Sequence, residues 1–271
     1  MTRDLQTFVS AERIEWRRPP ALGGAEVLLA WATDRPWKVF HEAFSIWLAI
    51  SAAGVIRCRH REHQIAPGRA ALFEPGETHV SARDPAPGDF AALFVPPRDV
   101  LEAASELGAC SPSVRACVTR DKTLFRRARR LLARLAQPHA SKLELQCLYA
   151  EVVLRLVDAH LDASPRLLSA DDALGEIVRD RLFDAPAACV EELERDMAIS
   201  RWSLALACRR RFGMAFGELA DLVRISRARR ELAAGRAVAE VARMLGWAEE
   251  TLRAQFAAHV GASVEAYAAA R

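Results

Sequence analysis

The chain changes texture close to its middle, and no single run of strands or of helices accommodates both parts. Over residues 44–95 apolar residues come in strand-length runs, at 44–50, 55–60, 70–73 and 90–95. Pro67-Gly68, Pro75-Gly76 and Pro87-Gly88 punctuate them. Closely spaced strands with such turns predict a small sandwich or barrel. Pro96-Pro97 ends this region. After Pro112 the period becomes helical: Leu124, Phe125, Ala128, Leu131, Leu132 and Leu135 share one face, and Arg126, Arg127, Arg129, Arg130 and Arg134 the other. A second helix is expected over about residues 143–161, and Ser164-Pro165 marks a short linker. Beyond Asp171 everything reads as helices, broken near Pro186, Gly213, Gly235, Gly246 and Gly261.

At 271 residues the chain is long for one ordinary domain and suits two. With 51% hydrophobic and 27% charged residues it has the balance of a soluble globular protein. No stretch approaches the roughly 18 apolar residues of a membrane span, and Met1-Thr2-Arg3-Asp4 does not open a secretory signal, so a cytoplasmic location and no membrane partner are expected. Cys58, Cys110, Cys117, Cys147, Cys189 and Cys208 are scattered without a CxxC spacing, which fits buried reduced thiols. The net charge of +3 decides little until it is divided. Residues 171–271 carry 15 basic and 16 acidic side chains, yet residues 201–230 hold eight Arg against only Glu218 and Asp221. A local basic patch therefore exists where a global one does not.

Within the last hundred residues a pattern occurs twice. Val190 and Leu193 form the apolar side of a short helix, residues 197–199 make a turn, and Ser200 is placed to N-cap the next helix. That helix puts Leu204, Ala207, Cys208 and Arg211 on one side and Trp202, Ala205, Leu206 and Arg209 on the other. In the second unit Val238 and Val241 pack inward, Ala242 is small where helices approach, Gly246 supplies the turn, and Leu252 and Phe256 anchor the following helix. A helix over about residues 216–234 would hold the two units apart. Two recognition helices spaced about 34 Å apart enter successive major grooves of double-stranded DNA.

Ser200-Arg-Trp-Ser-Leu204, Arg211-Phe-Gly213, residues 224–232, Val241-Ala-Arg-Met-Leu-Gly-Trp247, residues 251–256 and residues 261–267 together resemble the DNA-binding domain of the AraC/XylS family of transcription regulators. Residues 66–68, 74–79 and 93–97 are similar to the effector-binding cupin barrel often fused to it. The resemblance implies a multidomain chain: an N-terminal all-β cupin-like barrel (1–112), a helical dimerising or bracing segment (113–164), and a C-terminal all-α double helix-turn-helix domain (165–271). It implies double-stranded DNA, an unknown small-molecule effector and RNA polymerase as partners, a homodimer, and no cofactor or enzymatic activity. Arg201, Trp202, Ser203, Arg209, Arg210, Arg211, Thr251 and Arg253 are the expected DNA contacts. Trp37, His41, Trp47 and His79 are the expected lining of an effector pocket, a role that competes with plain core packing.

The sequence departs from the family pattern in places. Glu194 stands where a small Ala is usual between the helices, and Ala198 where a turn Gly is favoured, so the second unit is expected to be the better-formed scaffold. Ala205 and Leu206 occupy positions often held by polar readers, and Glu249 and Glu250 lie near the expected phosphates. Arg224 reads as a structural ion-pair residue in preference to a phosphate contact. An exposed Trp202 needs a partner, either DNA or another protein surface. His60, His63 and His79 are candidate ligands of a cupin metal, but His60 and His63 are three apart and would face opposite ways on one strand, so no metal is expected. Two further readings stay open on the residues alone: an interaction protein that keeps the fold but binds DNA weakly, and a cupin enzyme.

Overall fold

Nine strands, each short, open the described part of the chain: β1 (Arg13–Arg17), β2 (Glu26–Thr33), β3 (Lys38–Phe40), β4 (Phe44–Ala49), β5 (Gly54–Cys58), β6 (Arg61–Ile65), β7 (Ala70–Phe73), β8 (Thr78–Ser81) and β9 (Gly88–Val95). The computed structural model describes residues 12–81, 86–108, 113–162 and 169–270. Cys110 and the expected linker at Ser164-Pro165 lie outside them. Two antiparallel sheets face each other. One has the order β1-β2-β9-β4-β7-β11, where β11 is Val118–Thr119, and the other the order β3-β8-β5-β6. Strand β4 is buried at all six positions. Its alternate residues serve two cores: Trp47 points into the barrel with Phe73, Ala92 and Phe94, while Phe44, Ile46 and Leu48 pack outward with Leu72, Leu93 and Val95. This is why it reads as a continuous apolar run.

The outward core is closed by helices α1 (Pro97–Glu106), α2 (Lys122–Leu135) and α3 (Lys142–His160). Asp121 caps α2, accepting from Thr123 N at 2.8 Å and Leu124 N at 3.1 Å, and Ser141 caps α3. Strands β10 (Ser113–Val114) and β12 (Leu161–Asp162) pair with each other and tie the two ends of this layer. Two sequence expectations are corrected here. The strand region does not end at Pro96-Pro97, since β10, β11 and β12 come later and β11 pairs with β7 in the larger sheet; Pro97 instead begins a helix, because a missing N–H is harmless at the first helical position. The run at 55–60 is a strand only to Cys58; Arg59 (φ 53°) and His60 (φ 60°) form the left-handed two-residue turn into β6.

The rest is helical: α4 (Ala170–Asp184), α5 (Val190–Met197), α6 (Arg201–Phe212), α7 (Phe216–Ala233), α8 (Val238–Met244), α9 (Glu249–Val260) and α10 (Val264–Ala269). Helices α4 to α6 and the first half of α7 share one core around Leu193, Leu204, Cys208 and Leu219. The second half of α7 packs with α8, α9 and α10 into the same cluster as the barrel interior. A Cβ at Gly261 (φ 75°) would overlap the end of the Ile14 side chain and crowd Trp37. Among the described residues no helix is long and apolar enough to cross a membrane.

Candidate nucleic-acid interface and barrel interior

Helix α5 stops at Ala198, which takes the left-handed conformation (φ 53°, ψ 38°) that glycine adopts at less cost. Ser200 then caps α6, its hydroxyl accepting from Ser203 N at 3.2 Å. Glu194 joins this cap: its carboxylate accepts from Arg201 N and pairs with the Arg201 guanidinium at 3.2 Å. The residue that looked like a misfit between two helices thus satisfies an orphan N–H and places negative charge at a helix N-terminus. Leu204, Ala207 and Cys208 are buried, whereas Trp202 is 79% exposed and Leu206 47%. Arg201, Arg209 and Arg210 are exposed. Ser203 is half-buried, with its hydroxyl 3.1 Å from that of Ser200. Arg211 turns away from this face. It pairs with Glu176 of α4, is mostly buried, and lies against Gly175, which has no room for a side chain.

In the second unit Gly246 (φ 70°) makes the turn, and Trp247 N donates to Ala242 O at 2.9 Å. Val241, Ala242, Leu252 and Phe256 are fully buried. Helix α9 has no side-chain cap, since Ala248 stands at that position, and Glu249 and Glu250 fill its first turn. Thr251 is exposed; Arg253 is exposed but bridged to Glu265 and, at 3.5 Å, to Glu249. Arg224 on α7 donates to Pro186 O at 2.6 Å and lies over the Trp247 ring, fastening the two units to each other.

The barrel interior gathers Trp37, His41, Trp47 and His79, all at least nine-tenths buried. Trp47 stacks on Phe90 at 5.0 Å and meets Trp37 and His79 edge-on; His79 stacks on Phe73. Burial pushes the His79 imidazole down to about 3. His41 is also held well below the usual histidine range, by burial and then by the charge of Arg229. Of the histidines considered as metal ligands, His60 is exposed in its turn and His63 lies on β6 opposite Ile56, apart from His79 on β8. No group of three His, Cys, Asp or Glu placed to hold a metal occurs among the described residues.

The residues that connect the halves were not picked out by sequence. Arg229 of α7 is buried at the mouth of the barrel, where its guanidinium pairs with Glu26, donates to His41 Nδ1 at 2.9 Å, and lies over the rings of Trp16 and Phe94. Tyr267 of α10 donates to the same Glu26. Around this point Trp16 donates to Val260 O at 3.1 Å, and Arg18 to Tyr267 O and Ala268 O at 2.7 and 2.8 Å, so barrel side chains satisfy carbonyls at the ends of α9 and α10. One sequence signal was available: Arg229 falls on the buried stripe of α7, four residues after Ile225 and three before Leu232.

Comparison with known proteins agrees with this arrangement. Residues 30–152 match the family described as an AraC-like ligand binding domain, and residues 193–270 the one described as a helix-turn-helix domain. The fold is similar to that of ToxT from Vibrio cholerae, with a TM-score of 0.54 at 12% identity over 94% of this chain and 98% of that one. A second ToxT structure, with an unsaturated fatty acid bound, gives 0.51 at 12% identity over 95% and 94%. No protein of curated function matches the sequence.

Proposed function

The chain belongs to the AraC/XylS family of transcription regulators, with a DNA-binding helix-turn-helix region and a ligand-binding domain, and from that premise we propose that occupancy of the barrel sets the freedom of the second helix-turn-helix unit. The observation that carries this reading is Arg229. It sits on the helix between the two units, yet its charge is neutralised by Glu26 of the barrel and its hydrogen bond is taken by His41. A small molecule that moves His41 or Glu26 changes how α7 is held, and a ligand shifts an equilibrium only through such unequal contacts in two states. Trp37, His41, Trp47 and His79 form the effector site in this reading. Exposed Arg201, Arg209 and Arg210 supply phosphate affinity, and Trp202, Thr251 and Arg253 supply base selectivity. A homodimer and contact with RNA polymerase complete the proposal.

Its test is recovery of DNA from fragmented genomic DNA by the purified chain, followed by titrations on the recovered site and on random DNA. Discrete sites are expected. Trp202→Ala and Arg253→Ala should cost about 1 to 3 kcal/mol on the preferred site and less on random DNA. A protein that recovers no site, or variants that lose equally on both DNAs, would remove the case.

A further inference from the structure

Helix α6 is apolar on the face where a helix-turn-helix unit meets DNA. The second helix of such a unit lies in the major groove, and the residues of its first half reach the base edges. In α6 the outward residues of that half are Trp202, Ala205 and Leu206, opposite the buried Leu204, Ala207 and Cys208. Trp202 and Leu206 are exposed one turn apart, and Ala205 is half-buried beside them. Between Ser200 and Arg209 the sequence holds no Asn, Gln, Lys, Asp or Glu. The polar groups that do occur there are engaged. Arg201 is held by Glu194 at 3.2 Å, with Glu191 at 3.9 Å, and the Ser203 hydroxyl meets that of Ser200 at 3.1 Å. Arg209 stands in the second half of the helix. The usual readers are therefore missing from the first half: a free fork for guanine, an amide for adenine and a carboxylate for cytosine. One feature of the major groove remains that an apolar side chain recognises, the C5 methyl of thymine.

We propose that the first helix-turn-helix unit selects thymine, with Leu206 and Trp202 closing on C5 methyl groups in the major groove. This rests on the DNA-binding reading above and names the base that the unit reads. Closing on a methyl removes apolar surface from water on both partners, so thymine is favoured over a base whose edge lacks that group. Ala205 has too little reach to compete, which leaves the contact to its two larger neighbours. Charge agrees with a nucleic acid as the occupant of this face. No acidic residue occurs on α6, and Arg209 is exposed beyond Leu206, where phosphates flank the groove. Phosphate contact by Arg209 and methyl contact by Leu206 then divide affinity from selectivity along one helix.

The experiment uses the full chain and the site it recovers from genomic DNA, with deoxyuridine in place of one thymine at a time. Uracil keeps every hydrogen-bonding group of thymine and lacks only the methyl. At one or two positions under the first unit the change should weaken binding about three- to tenfold, as expected for one methyl group against apolar side chains. At those positions cytosine should also bind weakly, and 5-methylcytosine, which returns the methyl on a different base, should bind more tightly than cytosine. Leu206→Ala and Trp202→Ala should each bind the thymine and uracil forms alike at one of these positions. Thermal stability should stay unchanged, since both side chains are exposed. Failure to recover any site would bring down the DNA-binding reading, and thymine selection with it. With a site in hand, the proposal alone is overturned by a site without thymine under the first unit, by uracil tolerated at every thymine, or by a uracil penalty that both variants keep. Variants that bind DNA as the wild type does would also overturn it and give the apolar face to a protein partner.

Discussion

Arginines close together in sequence do different work according to what they touch. Arg209 is exposed on the outer side of α6, whereas Arg211, two residues on, is spent on Glu176. Arg209→Ala should therefore weaken binding to all DNA alike and lower the log-log salt slope by about one, the value for one lost phosphate contact. Arg211→Ala should leave the slope unchanged and lower thermal stability instead, since Glu176 loses a partner in a mostly buried pair. Titrations at several salt concentrations decide it; a slope change for Arg211→Ala would put that residue back at the DNA surface. The buried histidines give a second residue-scale prediction. His79 is held neutral with its pKa near 3, and His41 is also depressed, against about 6.5 for an unfolded imidazole. For His79, between about pH 6.5 and 3 the unfolded chain binds the extra proton, so its contribution is intact above that window and is lost as pH falls through it, by about 1.4 kcal/mol per pH unit, and the depression of His41 acts in the same direction. Urea unfolding at pH 7 and pH 5.5 should show the loss, and His79→Phe should lessen it; an equal loss in the variant would assign it to other groups. Trp202 was legible in sequence because an aromatic off the apolar stripe of a helix has no core to enter. Arg229 shows only as a charge on the buried stripe of α7; its partner Glu26 is 203 residues away, so its role was not legible.

Elements were legible in proportion to how local their causes are. Helices α2, α3 and the two helix-turn-helix units follow from periodicity and caps within each segment. Strands β4, β7 and β9 stand out because both of their faces are covered. Strands β1, β3 and β6 carry mixed polar patterns at or near sheet edges, and pairing such as β2 with β9 is decided by residues some sixty positions apart, so they escaped notice. Helix α3 carries a further consequence. Leu143 is 70% exposed and Leu154 45%, and with exposed Cys147 and Ala150 they repeat at intervals of four, three and four, the spacing of a coiled-coil seam. Antiparallel pairing of two copies would set Leu143 against the partner's Leu154 and Cys147 against the partner's Ala150. Sedimentation should then show a dimer at micromolar concentration that Leu154→Glu converts to a monomer with unchanged thermal stability. A wild-type monomer under those conditions would end the idea.

At the scale of the whole molecule, the two helix-turn-helix units are held unequally. The first meets the barrel through Phe40, which joins its core, and a hydrogen bond from Thr78 to Phe212 O at 3.3 Å. The second shares the barrel's own core and has the ends of its last helices capped by barrel side chains. The charge of Arg229 lies within that shared core, opposed by burial and favoured by Glu26, which raises its pKa. A buried ion is tolerable only while its counter-ion stays, and removing one member of such a pair costs on the order of 3–5 kcal/mol, whereas replacing both with apolar groups of similar size is often neutral. Glu26→Gln and Arg229→Met should therefore each loosen the docking of α7 to α10 on the barrel, and the double variant should recover much of the loss. Hydrogen exchange would report it as faster exchange in α7 to α10 than in the barrel strands β4 and β9 for each single variant, with protection restored in the double. If undocking frees the second unit for DNA, affinity for the recovered site should change in the singles and return toward the starting value in the double. Losses that simply add across the two positions would mean that Arg229 and Glu26 are not coupled, and the link between barrel and DNA-binding helices would have to run through other contacts.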